Sequence, residues 1–293
     1  MEHPHRRIAP GSVKATLFGI AAVAISGASG CVEPTQRAAI AGPAARLDAD
    51  GRQLRLLPPF ELATPEDAIV RITGDVTCTG TLIADDRVLT AHHCVVARDA
   101  NGHALDHDKR PQELTIELGG DYLPWGEAPV RAIVAPDCGY ASGDGDIAIL
   151  VLSRHLIGVP TVPIRLEQVP RKDEELRVYG FGRCALSRDA IHRVPRTSSP
   201  LQGVEPGHLV ATAAICPGDS GGPVYGERGE IIGVVSASVM DGDERTAGLS
   251  LFTRVDVWPQ LFSAAHEIAN GASPGELPPY GDCSAPRQRT SKR

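Results

Sequence analysis

The ten residues Ile215-Cys-Pro-Gly-Asp-Ser-Gly-Gly-Pro-Val224 constrain this chain most, because three glycines and two prolines there rule out a continuous helix or strand. Such a stretch makes a tight turn, and the turn presents Ser220. A hydroxyl is a weak nucleophile at neutral pH. It needs an adjacent base and hydrogen-bond donors aimed at the oxygen that becomes negative. Gly218 and the Gly221-Gly222 pair permit positive φ and a close approach of substrate to the main chain, so the amides of Gly218 and Ser220 can converge on one oxyanion.

A base and a carboxylate are sought upstream. Val88-Leu-Thr-Ala-His-His-Cys94 and Asp146-Ile-Ala-Ile-Leu150 supply them. Each segment alone has an ordinary structural reading: a glycine turn, a metal-binding His-Cys pair, a carboxylate at the start of a strand. Together they resemble the trypsin and chymotrypsin family of serine peptidases, over about residues 62 to 265. The turn is similar to the family's G-D-S-G-G-P motif, the second segment to L-T-A-A-H-C and the third to D-I-A-L-L. The chain order His, Asp, Ser is that of the chymotrypsin type. The resemblance implies His93 as general base, Asp146 as the carboxylate that orients it, Ser220 as nucleophile, and Gly218 and Ser220 as the oxyanion donors. Asp144 is the rival carboxylate, but the apolar run begins after Asp146. His92 stands where the family has a small residue and is expected to pack or hydrogen-bond nearby without a catalytic role.

Composition narrows the class. Glycine (31) and proline (24) interrupt the apolar runs so often that many short strands are expected rather than long helices. A net charge of −7, with no basic block inside the expected domain and only a short basic tail at 287–293, argues against a nucleic-acid partner. The N-terminus has the basic and apolar regions of a secretory signal, and Ala28-Ser-Gly-Cys31 resembles a bacterial lipobox with alanine where leucine is usual. Setting Cys31 aside for lipidation leaves six of the seven cysteines, an even number suited to disulfides in an oxidising compartment. The protein is therefore expected to be exported, as a periplasmic or outer-membrane-anchored lipoprotein attached through Cys31, or otherwise secreted.

The expected organisation is a signal peptide at 1–30, a tether or pro-segment at 31–60, a peptidase domain at 61–270 and a tail at 271–293. Strand-like runs at Ala68-Ile-Val-Arg-Ile72, Thr81-Leu-Ile-Ala84 and Ile231-Ile-Gly-Val-Val235 read as all-β. The resemblance sharpens this to two packed antiparallel Greek-key β-barrels, about 61–153 and about 154–255. A C-terminal helix at 256–270 follows, with Asp256 as N-cap. The polar stretch from Arg98 to Pro111 reads as a solvated loop, and its His103, Asp106, His107 and Asp108 as surface residues rather than a metal site. The resemblance also implies a disulfide between Cys78 and Cys94 across the histidine loop, and one between Cys184 and Cys216. Cys138 and Cys283 are left as the remaining pair.

Substrate and activation follow from the same comparison. The family's pocket floor falls on Ala214, which lacks the charge that a buried Lys or Arg side chain would need. Ala214 and Ile215, Ser236, which also matches the serine that braces the catalytic aspartate, and Ser238 and Ser250 outline a shallow pocket for small or medium aliphatic residues. No cofactor or metal is expected, and the partner is a polypeptide substrate met by a monomer. The segment at 32–60 lacks a good match to Ile-Val-Gly-Gly, whose freed amine pairs in most members with the aspartate before the nucleophile. An internal arginine, Arg177 or Arg183, is expected to serve Asp219 instead. The alternatives are a catalytically silent relative that binds a partner through the same cleft, and an esterase using the same triad.

Overall fold

The structure is a computed structural model that describes residues 64–120, 122–136, 145–188, 191–239, 242–243, 245, 247–278 and 280. The first half contains β1 (Ile69–Thr73), β2 (Thr77–Ala84), β3 (Arg87–Thr90), β4 (Val96–Arg98), β5 (Ala104–Asp108), β6 (Thr115–Leu118), β7 (Gly126–Val134) and β8 (Ala148–Leu152). Six of these close into a barrel in the order β1-β2-β3-β8-β7-β6, with every pair antiparallel. Closure removes the free strand edges that would otherwise invite pairing with another chain. Alternation sets the inner face. In β6, Ile116 and Leu118 are buried while Thr115 and Glu117 are only partly so.

The second half contains β9 (Arg177–Gly180), β10 (Val194–Arg196), β11 (Gly203–Val204), β12 (His208–Ala213), β13 (Pro223–Tyr225), β14 (Ile231–Ser238) and β15 (Gly248–Arg254). They form one antiparallel sheet in the order β10-β9-β13-β14-β15-β12-β11. The chain after β10 then runs back along β12. Ala214 N donates to Thr197 O at 2.9 Å, Ser199 N to Thr212 O at 2.8 Å and Gln202 N to Val210 O at 2.8 Å, which joins the two ends of the sheet. Leu209, Ala211 and Ala213 from β12 meet Val178, Val224, Val235 and Phe252 in a separate core inside this half.

Helix α1 (Pro259–Ala269) packs on β7 and β8, and β8 is buried along its whole length. Proline at its first position suits the helix start, where no backbone donor is needed. Arg131 of β7 donates to the terminal carbonyls of Ile268 (3.0 Å) and Ala269 (3.1 Å), satisfying groups that the helix itself leaves open. Two sequence expectations change here. Asp256 is not the N-cap: the cap position is Trp258, and Asp256 pairs with Arg254 (2.6 Å), a partner at close sequence range that outcompetes the helix start. The polar stretch after Arg98 is not a plain loop, since β4 and β5 pair as a small hairpin held outside the barrel. Asp106 and His107 are exposed there along with Leu105, while Asp108 turns in to His92.

The halves meet at Thr79 of β2. Its hydroxyl donates to Gly218 O (2.7 Å) and accepts from Phe181 N (2.9 Å); its amide donates to Ser220 O (2.8 Å) and its carbonyl accepts from Thr90 Oγ1 (2.8 Å). One fully buried threonine thus joins the first barrel to two separate loops of the second half. Thr79→Val keeps the shape but strands two buried polar groups, and should lower unfolding stability by about 2–4 kcal/mol. Urea unfolding measures this, and an unchanged midpoint would contradict the role given to Thr79.

Candidate active site

Chain direction brings His93 to the seam. Strand β3 ends at Thr90, and a single 3-10 turn, His92–Cys94, follows it. The disulfide Cys78–Cys94 ties that turn back to β2. His92 is buried and turns away, with Nε2 2.8 Å from Asp108 Oδ1 on β5. His93 faces the other way. Its Nδ1 lies 2.9 Å from Asp146 Oδ2 and 3.1 Å from Oδ1, and its backbone amide donates to the same Oδ1 at 2.9 Å. With a carboxylate on Nδ1, that nitrogen carries the proton and Nε2 is the basic one.

Asp146 sits just before β8 and is only 3% exposed. Ser236 Oγ, from β14 of the second half, donates to its Oδ2 in a short hydrogen bond. Burial pushes the carboxyl upward, but the hydrogen bonds and charge of His93 and the Ser236 hydroxyl outweigh it, so Asp146 titrates below the usual aspartate range. It is an anion at neutral pH.

Ser220 arrives on the opposite side of the seam. Its carbonyl is held by Thr79 N and lies 3.6 Å from Cys94 Sγ, which places the serine turn against the disulfide beside His93. Gly221, with φ +80°, has no room for a side chain: a Cβ there would come within 2.4 Å of Thr79 O and 2.8 Å of Ala91 N. Within the turn, Asp219 N donates to Cys216 O (3.0 Å), Gly221 N to Val235 O (2.8 Å) and Gly222 N to Asp219 O (2.9 Å). The amides of Gly218 and Ser220 have no acceptor among the described residues. Gly218 adopts φ +103°, a conformation that costs glycine little.

Beneath the turn lies Asp219, fully buried. Its partner is Arg196 of β10, with Nε 2.7 Å from Oδ2 and Nη2 3.0 Å from Oδ1; the Nε contact is an ion pair off the hydrogen-bond line. Cys216 N and Gly182 N each donate to the carboxylate at 2.8 Å. Burial raises the carboxyl's pKa, and the guanidinium and these amides oppose that rise. The expected internal arginine is present but is neither of the two proposed. Arg177 lies over the Tyr225 ring, 5.8 Å from its centre, and Arg183 donates to Ser187 O at 3.3 Å. Both follow or precede the Gly180–Gly182 segment at positions directed away from Asp219. Arg196 reaches it because β10 pairs with β9.

The remaining expected residues fall as follows. Cys184 is bonded to Cys216, next to the turn. Cys31, Cys138 and Cys283, as well as the rival Asp144, lie outside the described residues. Ala214 and Ile215 are buried on the approach to Cys216, and Ala214 N is tied to Thr197 O. Ser238 of β14 and Ser250 of β15 are register partners whose hydroxyls lie 2.8 Å apart. Cys78, His93 and Cys94 cluster closely enough to resemble a metal site, but the two sulfurs are bonded to each other. Asp85, Asp86 and His155 form a second cluster, in which Asp86 pairs with Arg87 and His155 with Asp85. Thr79 and Arg196 are the functional-site residues that sequence reasoning missed. Neither stands in a recognisable local pattern.

Comparison with known proteins bears on the fold and the family. The chain is 29% identical over 170 residues to Protease Do-like 2, chloroplastic, of Arabidopsis thaliana, a match covering 54% of this chain and 23% of that protein. It is 27% identical over 207 residues to the vitellin-degrading protease of Bombyx mori, covering 59% and 70% of the two chains. The fold is similar to that of a solved Glu endopeptidase, with a TM-score of 0.54 at 19% identity over 73% of this chain and 95% of the other. The match thus spans less than a quarter of the Arabidopsis relative. The Trypsin family profile matches residues 63–259, well over half of the chain and the whole of the seam just described, and the chain belongs to the Trypsin family.

Proposed function

We propose that the protein is a serine endopeptidase that cleaves peptide bonds through an acyl-enzyme on Ser220. The observation that carries this reading is the hydrogen-bonded line from Ser236 through Asp146 to His93, beside a serine turn whose Gly218 and Ser220 amides have no acceptor among the described residues. In the attack step, Ser220 Oγ bonds to the carbonyl carbon and its proton passes to His93 Nε2. Asp146 remains ionised, fixes the tautomer and stabilises the imidazolium. The amides of Gly218 and Ser220 hold the oxyanion. When the tetrahedral centre collapses, the C–N bond breaks and the leaving amine takes the proton from Nε2. Water then repeats the sequence on the acyl-enzyme, releasing the acid and restoring the Ser220 hydroxyl. None of these steps asks for a metal or cofactor.

Substrate preference follows from the pocket residues. Ala214 is buried and brings no charge, so a Lys or Arg side chain placed beside it would lie unpaired. The Ser238–Ser250 hydroxyl contact crosses from β14 to β15 and leaves less space than glycines would. Small or medium aliphatic residues fit best, with moderate selectivity, because one methylene is worth only about 1–3 kcal/mol. The substrate is a polypeptide. The two disulfides among the described residues support an oxidising compartment and hence export; the lipobox-like Ala28-Ser-Gly-Cys31 supports attachment to a membrane through a lipidated Cys31, with plain secretion as the alternative.

Ser220→Ala and His93→Ala should each lower kcat for a peptide ester by about 10⁶-fold, and Asp146→Asn by about 10⁴-fold, while far-ultraviolet circular dichroism stays unchanged. His92→Ala should keep most of the activity, since its ring serves Asp108. Full activity in the His93 variant with loss at His92 would contradict the base assignment. Profiling with a peptide library should show small aliphatic residues at the cleaved position. A profile dominated by Arg, Lys or Phe would contradict the pocket.

A further inference from the structure

Asp219 is fully buried, yet both of its oxygens are fully engaged. Oδ1 takes Gly182 N (2.8 Å) and Arg196 Nη2 (3.0 Å); Oδ2 takes Cys216 N (2.8 Å) and Arg196 Nε (2.7 Å). A carboxylate offers about four lone-pair sites. Three hydrogen bonds and the Nε ion-pair contact surround it on both oxygens. We infer that Arg196 is a positioning residue, a built-in cation that keeps the turn at 216–222 in its anion-ready shape, so that no ammonium group freed by cleavage upstream is needed or accommodated. This rests on the peptidase reading given above.

The surroundings support it independently. A Cβ on Gly180 would lie 2.1 Å from Asp219 Oδ1, and one on Gly182 would lie 2.5 Å from the same oxygen, so the wall on that side is already in contact with the carboxylate. Arg196 is itself held in two places, since Nη2 also donates to Gly182 O while the carboxylate takes its other face. Its side chain is 5% exposed. β10 delivers it from Val178's register position, so the guanidinium is fixed by sheet pairing rather than by a mobile chain end.

The carboxylate in turn ties the turn's two ends together. It accepts from Cys216 N through the side chain, and its backbone binds Cys216 O and Gly222 N. Without a cation, the buried anion would have to protonate or leave its site. Either event removes the link to Cys216 or Gly182, and with it the alignment of the Gly218 and Ser220 amides. A lysine cannot substitute well, because a single ammonium cannot reach both oxygens in the side-on manner of a guanidinium.

The test uses the full exported chain, with its N-terminus read by end-sequencing, and compares wild type, Arg196→Lys, Arg196→Met and the double variant Arg196→Met/Asp219→Asn. Two quantities are measured: kcat and KM on a peptide ester, and amide hydrogen exchange at 216–222 against exchange in the first barrel. The uncut wild type should be active. Arg196→Met should lose about 100-fold in kcat with KM little changed, as expected when oxyanion donors are misplaced, and Arg196→Lys should fall between. Exchange in Arg196→Met should quicken at 216–222 alone, and the double variant, which no longer buries a charge, should regain much of that protection. Wild-type kcat in Arg196→Met, unchanged exchange at 216–222, or activity that arises only with a new N-terminus between residues 38 and 60 would each overturn the inference. A wild-type chain with no esterase or peptidase activity would contradict the peptidase reading instead, while the exchange measurement, which needs no turnover, still decides the positioning role.

Discussion

The buried pair of Asp219 and Arg196 is the interaction on which the rest of the site depends. A carboxylate without solvent is tolerable only when charge and hydrogen bonds surround it, and here one guanidinium and two amides do so. Meeting that electrostatic demand fixes the backbone of the turn above it. Gly180, Gly182 and Gly218 follow from the same demand, since the first two sit against the carboxylate and the third carries the turn through positive φ. The Cys184–Cys216 bond and the Arg183 amide on Pro217 O (2.9 Å) then hold the turn from its other side.

The site belongs to neither half alone. His93 and Asp146 come from the closed barrel, while Ser220 and Ser236 come from the second sheet. Among the links that cross between them are the Ser236 hydroxyl on Asp146, Thr79 with its contacts to Gly218, Ser220 and Phe181, and Arg193 with its contacts to Asp67 and Gly120. The Ser236 and Thr79 links are hydrogen bonds rather than apolar contacts, so they specify direction as well as proximity.

What could be read from the sequence was whatever local chemistry forces on local residue types. The serine turn needs glycines beside it, the histidine follows a β-branched strand into a cysteine, and the aspartate precedes an unbroken apolar run that becomes β8. Short runs of β-branched and apolar residues revealed strands such as β1 and β14, whose first residues are buried on both faces. Arg196 was not legible, because it lies 23 residues from Asp219 in a proline-bearing segment whose pairing with β9 is known only once the sheet is formed. Thr79 was hidden for the same reason: its partners are 102 and 139 residues away. Asp256 misled because a carboxylate before a helix can cap it or can pair with a nearby arginine, and only the placement of Arg254 decides between the two.

The central claim is that Ser220 is a nucleophile activated by His93. Reaction with a fluorophosphonate, followed by mass spectrometry of the peptide that contains residues 216–222, tests this most directly, because the reagent bonds only to an activated hydroxyl. The account predicts a single adduct on Ser220 in the wild-type chain and no adduct in His93→Ala under the same exposure. An adduct on another residue, or an inert wild-type chain, would contradict it.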